Sequence, residues 1–179
     1  MITGVVMETV GNAEDARFIH EWHERRFDGG FEAYAKESDA PKGWKFLGAG
    51  KYRSVWRSPE GVAYKVEHNP YRGYGQTNSE EYDKVRFAWS CDPLADVRLP
   101  RVELYSLRDD VDVIAMECIS GKTVSDQWGD RYWLIPQYVE DVIEEMCHAY
   151  GLHDLHSGNV MVTEHEEGQY ELTPVDFGC

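Results

Sequence analysis

The chain has 179 residues, of which 42% are hydrophobic and 13% aromatic, so it is long enough for one well-cored domain and too apolar for a disordered chain. Its formal net charge of −15 at pH 7 argues against nucleic acid as a partner, because a phosphate backbone repels an acidic surface. No stretch approaches the roughly 18 consecutive apolar residues of a membrane helix, and the first residues do not resemble a secretion signal.

The first 43 residues are predicted to form a helical extension. Asn12 is a suitable cap for an amphipathic helix that runs to Arg26. Its apolar face is formed by Ala16, Ile19 and Trp22. A weaker helix is predicted over residues 31–36, before a segment rich in helix breakers at residues 39–43.

Residues 44–119 are predicted to form five strands and one helix. The strands are expected at residues 44–47, 54–58, 62–67, 101–107 and 111–118. The first three of them should make an antiparallel meander. Between the third and fourth strands, Asn78 is a candidate cap with Glu81 three positions later, for a helix that ends near Ser90.

Residues 120–179 begin with a helical pattern and end with two short strands. Pro136 is predicted in the first turn of a helix that has one apolar stripe and ends at Gly151. The strands are expected at residues 160–163 and 170–175, with an acidic turn between them.

Two features of the first strands have chemical meaning. Gly48 and Gly50 lie in a turn between strands, where glycines without a Cβ let backbone N–H groups approach phosphate oxygens. Lys65 lies in the third strand, where an inward ammonium needs an anion and a carboxylate around it. Glu81 is a candidate for that carboxylate. A simple turn, a solvated lysine and a capping glutamate are the alternatives at these positions.

A second group of polar residues lies near the end of the sequence. Asp154 and Asn159 are separated by a loop that can place both at one site, and Asp176 ends the adjoining strand. Phosphoryl transfer needs an acceptor for the substrate proton and oxygen ligands for Mg²⁺, because the reaction depends on positioning and charge neutralisation. This set therefore indicates phosphoryl transfer.

The order of these motifs, from the glycine turn to Asp176-Phe177-Gly178, resembles the protein-kinase superfamily over residues 44–179. The loop of residues 154–159 is more similar to the aminoglycoside- and choline-kinase branch, and residues 116–121 resemble the hinge that holds adenine. The resemblance implies an α+β protein-kinase-like fold with a five-stranded antiparallel N-lobe plus helix. The expected domains are the extension at 1–43, the N-lobe at 44–119 and a minimal C-lobe at 120–179.

Carried over by position, the resemblance implies that Asp154 is the catalytic base and that Asn159 and Asp176 are Mg²⁺ ligands. Lys65 is implied as the phosphate-binding lysine, paired with Glu81. Glu80 is the alternative partner, but Val85 and Ala88 share the helix face of Glu81. His156 is expected to steady the transferred phosphate or to bond to Asp154, or else to be structural. ATP is expected to be held by Gly48, Gly50, Val55, Lys65, Glu117 and Ile119.

The sequence departs from the family at several positions. Arg53 replaces the third glycine of the turn, and its side chain either reaches phosphate or points to solvent. Leu152 and His153 replace the histidine and arginine of the catalytic loop, so regulation by a phosphorylated activation loop is not expected. The sequence stops at Cys179, and we therefore expect a C-lobe truncated after Gly178.

These features lead us to expect a minimal Ser/Thr protein kinase that uses ATP and Mg²⁺. Its size and loop resemble small kinase-like proteins encoded by phages, which implies a protein substrate in the host cytoplasm. The four cysteines form no Cys-x-x-Cys pair, which also favours a reducing cytoplasm. A pseudokinase that occupies a protein partner through its acidic surface, and an AMP-transferring enzyme, are the alternatives. The substrate and a homo-oligomeric state are left open.

Overall fold

A computed structural model of the protein describes residues 9–27, 36–50, 52–68, 77–108, 111–129, 131–153, 155–166 and 168–177. The chain forms two compact units. The first comprises the described residues of Met1–Ser79 and Arg101–Cys118, and the second those of Glu80–Pro100 and Ile119–Cys179.

The first unit contains helix α1 and a five-stranded antiparallel sheet. Helix α1 spans Ala13–Phe27, and a short 3₁₀ turn spans Glu37–Asp39. The strands are β1 (Lys45–Ala49), β2 (Arg53–Arg57), β3 (Val62–Glu67), β4 (Val102–Arg108) and β5 (Val111–Glu117), in the spatial order β1-β2-β3-β5-β4. The five-stranded antiparallel sheet predicted from the sequence is thus confirmed, and its strands lie within two residues of their predicted limits.

Helix α1 covers one face of this sheet. Ala16 and Ile19 are fully buried, as their predicted place on an apolar helix face requires. Side chains of a strand alternate between its two faces, so Tyr64 and Val66 point to the same side of β3 and Lys65 to the other. The core on the α1 side consists of Val10, Ala16, Ile19, Trp56, Tyr64, Val66, Val113 and Ala115. The opposite face of the sheet is therefore the one that carries Lys65.

The start of α1 is fixed to the sheet by Tyr64. Its hydroxyl accepts the N–H of Asn12 at 3.1 Å and donates to the carboxylate of Asp15 at 3.4 Å, and burial raises its pKa. Asn12 also accepts the N–H of Asp15 through Oδ1 at 2.8 Å, which confirms the predicted cap. Gly11 has a φ of +71°, and a Cβ there would lie 2.5 Å from the Tyr64 hydroxyl. Only glycine fits this approach.

The second unit contains helices and a small antiparallel sheet. Helix α2 (Asn78–Ser90) begins in the first unit and continues here from Glu80. Helix α3 (Val124–Trp128), a 3₁₀ turn (Tyr132–Leu134) and helix α4 (Gln137–Tyr150) follow. Strands β6 (Lys122–Thr123), β7 (Val160–Glu166) and β8 (Gln169–Pro174) pair in that order.

Helix α4 ends where the sequence predicted but begins just after Pro136. Pro136 lies at its N-cap rather than inside the first turn, and Gly151 ends it with a φ of +65°. Val139, Met146 and Tyr150 are buried along its predicted apolar stripe. Among the described residues, no helix has both the length and the apolar character that a membrane crossing requires. The weaker helix predicted at 31–36 falls almost wholly outside the described residues.

The packing of α1 generates a stability prediction. Replacing Ile19 with alanine should lower the free energy of unfolding by about 2–5 kcal/mol, because a fully buried side chain is lost and a cavity is left against the sheet. Urea unfolding followed by tryptophan fluorescence measures this change. The exposed Arg17→Ala on the same helix is the control and should change stability by less than about 0.5 kcal/mol. Equal effects of the two variants would mean that α1 does not belong to the core.

Candidate functional site

Lys65 is buried in the middle of the sheet. Its Cα is opposite Val55 of β2 and Ile114 of β5, and only 5% of the residue is exposed. Burying an ammonium group is costly unless polar or anionic groups surround it. The alternative of a solvated strand lysine is therefore wrong. Val55, predicted to hold the nucleotide, shares the sheet face of Lys65 because the two residues are directly opposite.

The turn between β1 and β2 contains the two predicted glycines. Gly50 donates its N–H to the carbonyl of Arg53 at 2.9 Å, which closes the turn. A Cβ added at Gly48 or Gly50 would have no described atom within 4 Å, so the turn has open space beside it. Arg53 is 8% exposed and lies opposite Glu67, on the face of Lys65. Of the two orientations considered from the sequence, the one in which the Arg53 side chain points to solvent is therefore wrong.

His68, at the end of β3, contacts the same turn and was missed in the sequence analysis. Its Nε2 lies 3.2 Å from the carbonyl oxygen of Gly50, and its backbone N–H donates to the carbonyl of Tyr52 at 2.8 Å. Burial of the ring lowers the pKa of His68. Hydrogen bonds to backbone carbonyls require no particular residue at the carbonyl, so no sequence pattern could have predicted this contact.

Asn78 connects helix α2 to the strand of Lys65. Its side-chain amide donates to the carbonyl of Lys65 at 3.0 Å and to that of Asp112 at 2.9 Å, and its backbone N–H donates to the carboxylate of Glu67. The residue is fully buried, and Oδ1 has no partner among the described residues. Asn78 is therefore not the side-chain cap predicted from the sequence. It fixes the first residue of α2 to β3 and β5.

Glu117 is tied to the beginning of β4. Its carboxylate accepts the backbone N–H and the Nε–H of Arg101, both at 3.1 Å, and its own N–H donates to the Arg101 carbonyl at 3.0 Å. The resemblance implied that the backbone of this segment binds adenine, and the N–H of Glu117 is already engaged by the Arg101 carbonyl. Ile119, the other predicted hinge residue, is partly buried and belongs to the second unit.

In the second unit, the β7–β8 hairpin brings two predicted Mg²⁺ ligands to one end. Val160 pairs with Pro174, and the N–H of Val175 donates to the carbonyl of Asn159 at 2.9 Å. Asn159 precedes β7 and Asp176 follows β8, so antiparallel pairing places both residues beyond the same end of the hairpin. Asn159 is 9% exposed and Asp176 is partly buried.

The loop before Asn159 is shaped by its own side chains. Asn159 Oδ1 accepts the N–H of His156 at 2.9 Å, and the N–H of Asn159 returns to the His156 carbonyl at 3.0 Å. His156 Nδ1 accepts the N–H of Gly158 at 3.0 Å, so in the neutral ring the proton is on Nε2. These contacts support the structural alternative for His156. Asp154 lies outside the described residues, and its role stays a prediction.

Glu81 is buried and Glu80 is exposed. Glu81 is 1% exposed, and its carboxylate accepts the backbone N–H of the fully buried Phe177 at 3.3 Å. Val85 and Ala88 are also buried, as the argument from a shared helix face predicted. The bond to Phe177 was not predicted. It links helix α2 to the segment that carries Asp176.

The side chains beyond the hairpin have the chemistry that Mg²⁺ prefers. An amide oxygen has two lone pairs, so the bond from the His156 N–H is compatible with a cation at Asn159 Oδ1. Within the described residues, no group of three or more His, Cys, Asp or Glu side chains forms a metal site. Mg²⁺ in phosphoryl-transfer proteins needs only one or two protein ligands besides phosphate and water. The pair Asn159 and Asp176 fits this requirement.

Comparisons with known proteins give only a distant likeness. No protein-family model and no curated protein matches the chain. Two structures of the PknI kinase domain of Mycobacterium tuberculosis, one of them a point mutant, match with 19% identity and a TM-score of 0.45. The matches cover 82% and 81% of this chain, which spans 64% and 63% of the length of those domains. A likeness this low does not assign a family.

Asn78 generates a prediction about the first unit. Asn78→Ala should lower the free energy of unfolding by about 1–3 kcal/mol, because the buried carbonyls of Lys65 and Asp112 lose a donor. Thermal and urea unfolding measure the change. Ser79→Ala, at the next position, is the matched control and should leave stability within about 0.5 kcal/mol. A melting temperature unchanged by Asn78→Ala would show that the bonds from Asn78 to Lys65 and Asp112 do not stabilise the fold.

His68 generates a pH prediction. Because its pKa is lower in the folded protein than the unfolded value of about 6.5, the unfolded chain takes up the proton first as the pH falls. The protein should lose stability as the pH drops below 6.5, by about 1.4 kcal/mol for each unit by which the pKa is lowered. Urea unfolding at pH 7.5 and 5.5 should show a smaller loss in His68→Phe than in the wild type. The same loss of stability in both proteins would show that His68 does not cause the pH dependence.

Proposed function

We propose that the protein is a phosphotransferase of the protein-kinase-like class that uses Mg-ATP and transfers its γ-phosphoryl group to a protein Ser/Thr hydroxyl. The observation that carries this proposal is the end of the β7–β8 hairpin. Antiparallel pairing brings the oxygen-bearing side chains of Asn159 and Asp176 to one end of the hairpin, directly after the loop that contains Asp154. Phosphoryl transfer requires a proton acceptor and Mg²⁺ ligands at one site.

Each of these residues has a separate task in the proposal. Asp154 accepts the proton of the attacking hydroxyl. Asn159 and Asp176 hold Mg²⁺, which neutralises charge on the phosphates of ATP when it is bound. The bonds between Asn159 and His156 fix residues 156–159 of the loop, so that Asn159 is ordered before a substrate arrives. Prior ordering of this kind is the main contribution a protein makes to phosphoryl transfer.

The first unit supports the nucleotide part of the proposal. Its five antiparallel strands, with a helix between the third and fourth, have the order expected of a kinase N-lobe. Lys65 is buried and is proposed to bind phosphate, as an ammonium buried in a strand suits an anionic ligand. The open turn at Gly48 and Gly50 is proposed to cover the phosphates. Glu81, buried on α2, is proposed as the carboxylate partner of Lys65.

A protein substrate, a cytoplasmic location and relation to phage-encoded kinases are part of the same proposal. They rest on the similarity of the catalytic loop to that class.

The test is transfer of label from Mg-[γ-³²P]ATP to the protein itself or to a cytoplasmic extract, with intact-mass analysis of the product. We expect addition of one phosphoryl group to a Ser or Thr. Asp154→Asn should reduce the rate by roughly 10²–10⁴-fold, the usual contribution of a general base. Asp176→Asn should abolish the Mg²⁺-dependent transfer. The exposed Asp83→Asn on α2 is the matched control and should retain full activity.

Three outcomes separate the proposal from its alternatives. Transfer that is lost in Asp154→Asn and Asp176→Asn but kept in Asp83→Asn supports a kinase. Measurable Mg-ATP binding without any transfer would contradict it and indicate a pseudokinase. Label from the α-phosphate of ATP on the product would contradict it in favour of AMP transfer.

A further inference from the structure

We propose that His68 is a positioning residue that holds the glycine turn in its ligand-binding shape, and that helix α1 supports it through His23. This inference rests on the proposed function, because the turn is taken to cover the phosphates of ATP. It adds a residue and a helix that lie outside the motifs shared with kinases.

The first step is the bonding of the turn to the end of β3. His68 bonds to the carbonyls of both Gly50 and Tyr52. Its ring Nε2 lies 3.2 Å from the Gly50 oxygen, and its backbone N–H donates to the Tyr52 oxygen at 2.8 Å. The turn is also closed by its own backbone, because the carbonyl of Arg53 accepts the Gly50 N–H at 2.9 Å. A single residue thus contacts the backbone on both sides of the turn.

The second step is the burial of His68 between the turn and α1. His68 is 8% exposed and His23 of α1 is 2% exposed. Their ring centroids are 5.3 Å apart, and the rings are tilted by 48°. This packing limits the movement of the His68 ring, so the position of the turn depends on the helix that covers the opposite sheet face.

The third step is the consequence for a ligand. Backbone N–H groups bind phosphate only when the turn holds them in place, and glycines leave the backbone with the largest freedom to lose. A turn that is already ordered loses less conformational entropy when the ligand binds. The next glycine of the kinase pattern is Arg53 here, and the bonds from His68 to the carbonyls of Gly50 and Tyr52 supply order instead. Loss of the ring bond should weaken ATP binding more than it slows transfer.

Two substitutions separate the hydrogen bond from the packing. His68→Phe keeps a flat ring against His23 and removes the donor to Gly50. His68→Gln removes the aromatic ring but can place an amide N–H near the position of Nε2. If the hydrogen bond to Gly50 orders the turn, His68→Gln should restore part of the protection of the Gly50 amide that His68→Phe loses. His20→Phe is the matched control, because His20 is a buried histidine of α1 that bonds to Arg108 and Glu24 instead of the turn.

The experiment measures two quantities in the full chain, at a temperature where every variant is folded. The first is hydrogen exchange of the Gly50 amide without nucleotide, by NMR. The second is the Kd for Mg-ATP with the KM and kcat of transfer. We expect His68→Phe to speed Gly50 exchange and to raise Kd and KM roughly tenfold, the effect of reordering about one residue's backbone, with kcat changed less than twofold. His68→Gln should lie between His68→Phe and the wild type, because it keeps a donor near Gly50 but loses the ring that packs against His23. His20→Phe should remain within about threefold of the wild type.

Several results would overturn the inference. Unchanged Gly50 exchange in His68→Phe would show that His68 does not hold the turn. Faster exchange of the Gly50 amide with an unchanged Kd for Mg-ATP would show that ordering of the turn by His68 does not contribute to ligand binding. Equal losses in His68→Gln or His20→Phe would indicate general loosening. A wild type that does not bind Mg-ATP overturns the proposed function, while the exchange measurement still decides whether His68 orders the turn.

Discussion

The cost of burying charge is the constraint on which this structure depends. Lys65 and Glu81 are 5% and 1% exposed, and neither charge can leave water without polar groups around it. The carboxylate of Glu81 accepts the N–H of Phe177. The strand of Lys65 is held by Asn78, whose amide bonds to the Lys65 carbonyl.

Side chains alternate between the two faces of the sheet, so that one face forms the apolar core and the other carries Lys65. Tyr64 and Val66 point to α1 and form the apolar core, while Lys65 between them points to the other face. A shift of one residue in register would exchange these faces and bury an ammonium against α1. The helix therefore stabilises the register that presents Lys65, and through His23 and His68 it also contacts the glycine turn.

Much of the fold could be predicted because it depends on local patterns. The five strands, α1, α2 and α4 follow from alternation, amphipathic spacing and breakers, and Glu81 was preferred to Glu80 because of the helix face it shares with Val85. Strand β6 was missed, since two residues are too few to show a period. A helical pattern was expected at the start of residues 120–179, but the five-residue helix α3 was too short to be delimited. β7 continues three residues past its predicted end, because pairing with β8 extends it through a polar stretch.

The polar contacts were harder to predict. Asn78 was expected to cap a helix through its oxygen, but it uses its amide nitrogen to bond to two strand carbonyls. Contacts of this kind, like that of His68 with Gly50, join residues far apart in sequence and need no particular residue at the carbonyl.

The most direct test of the account is labelling with an acyl-phosphate derivative of ATP, which transfers its acyl group to a lysine beside the bound phosphates. Mass spectrometry of the digested protein then identifies the modified lysine. The account predicts labelling of the buried Lys65 that excess Mg-ATP blocks, with labelling of the exposed Lys42 unaffected by the competitor. Labelling confined to exposed lysines, or labelling of Lys65 that Mg-ATP does not reduce, would contradict the assignment of a nucleotide site.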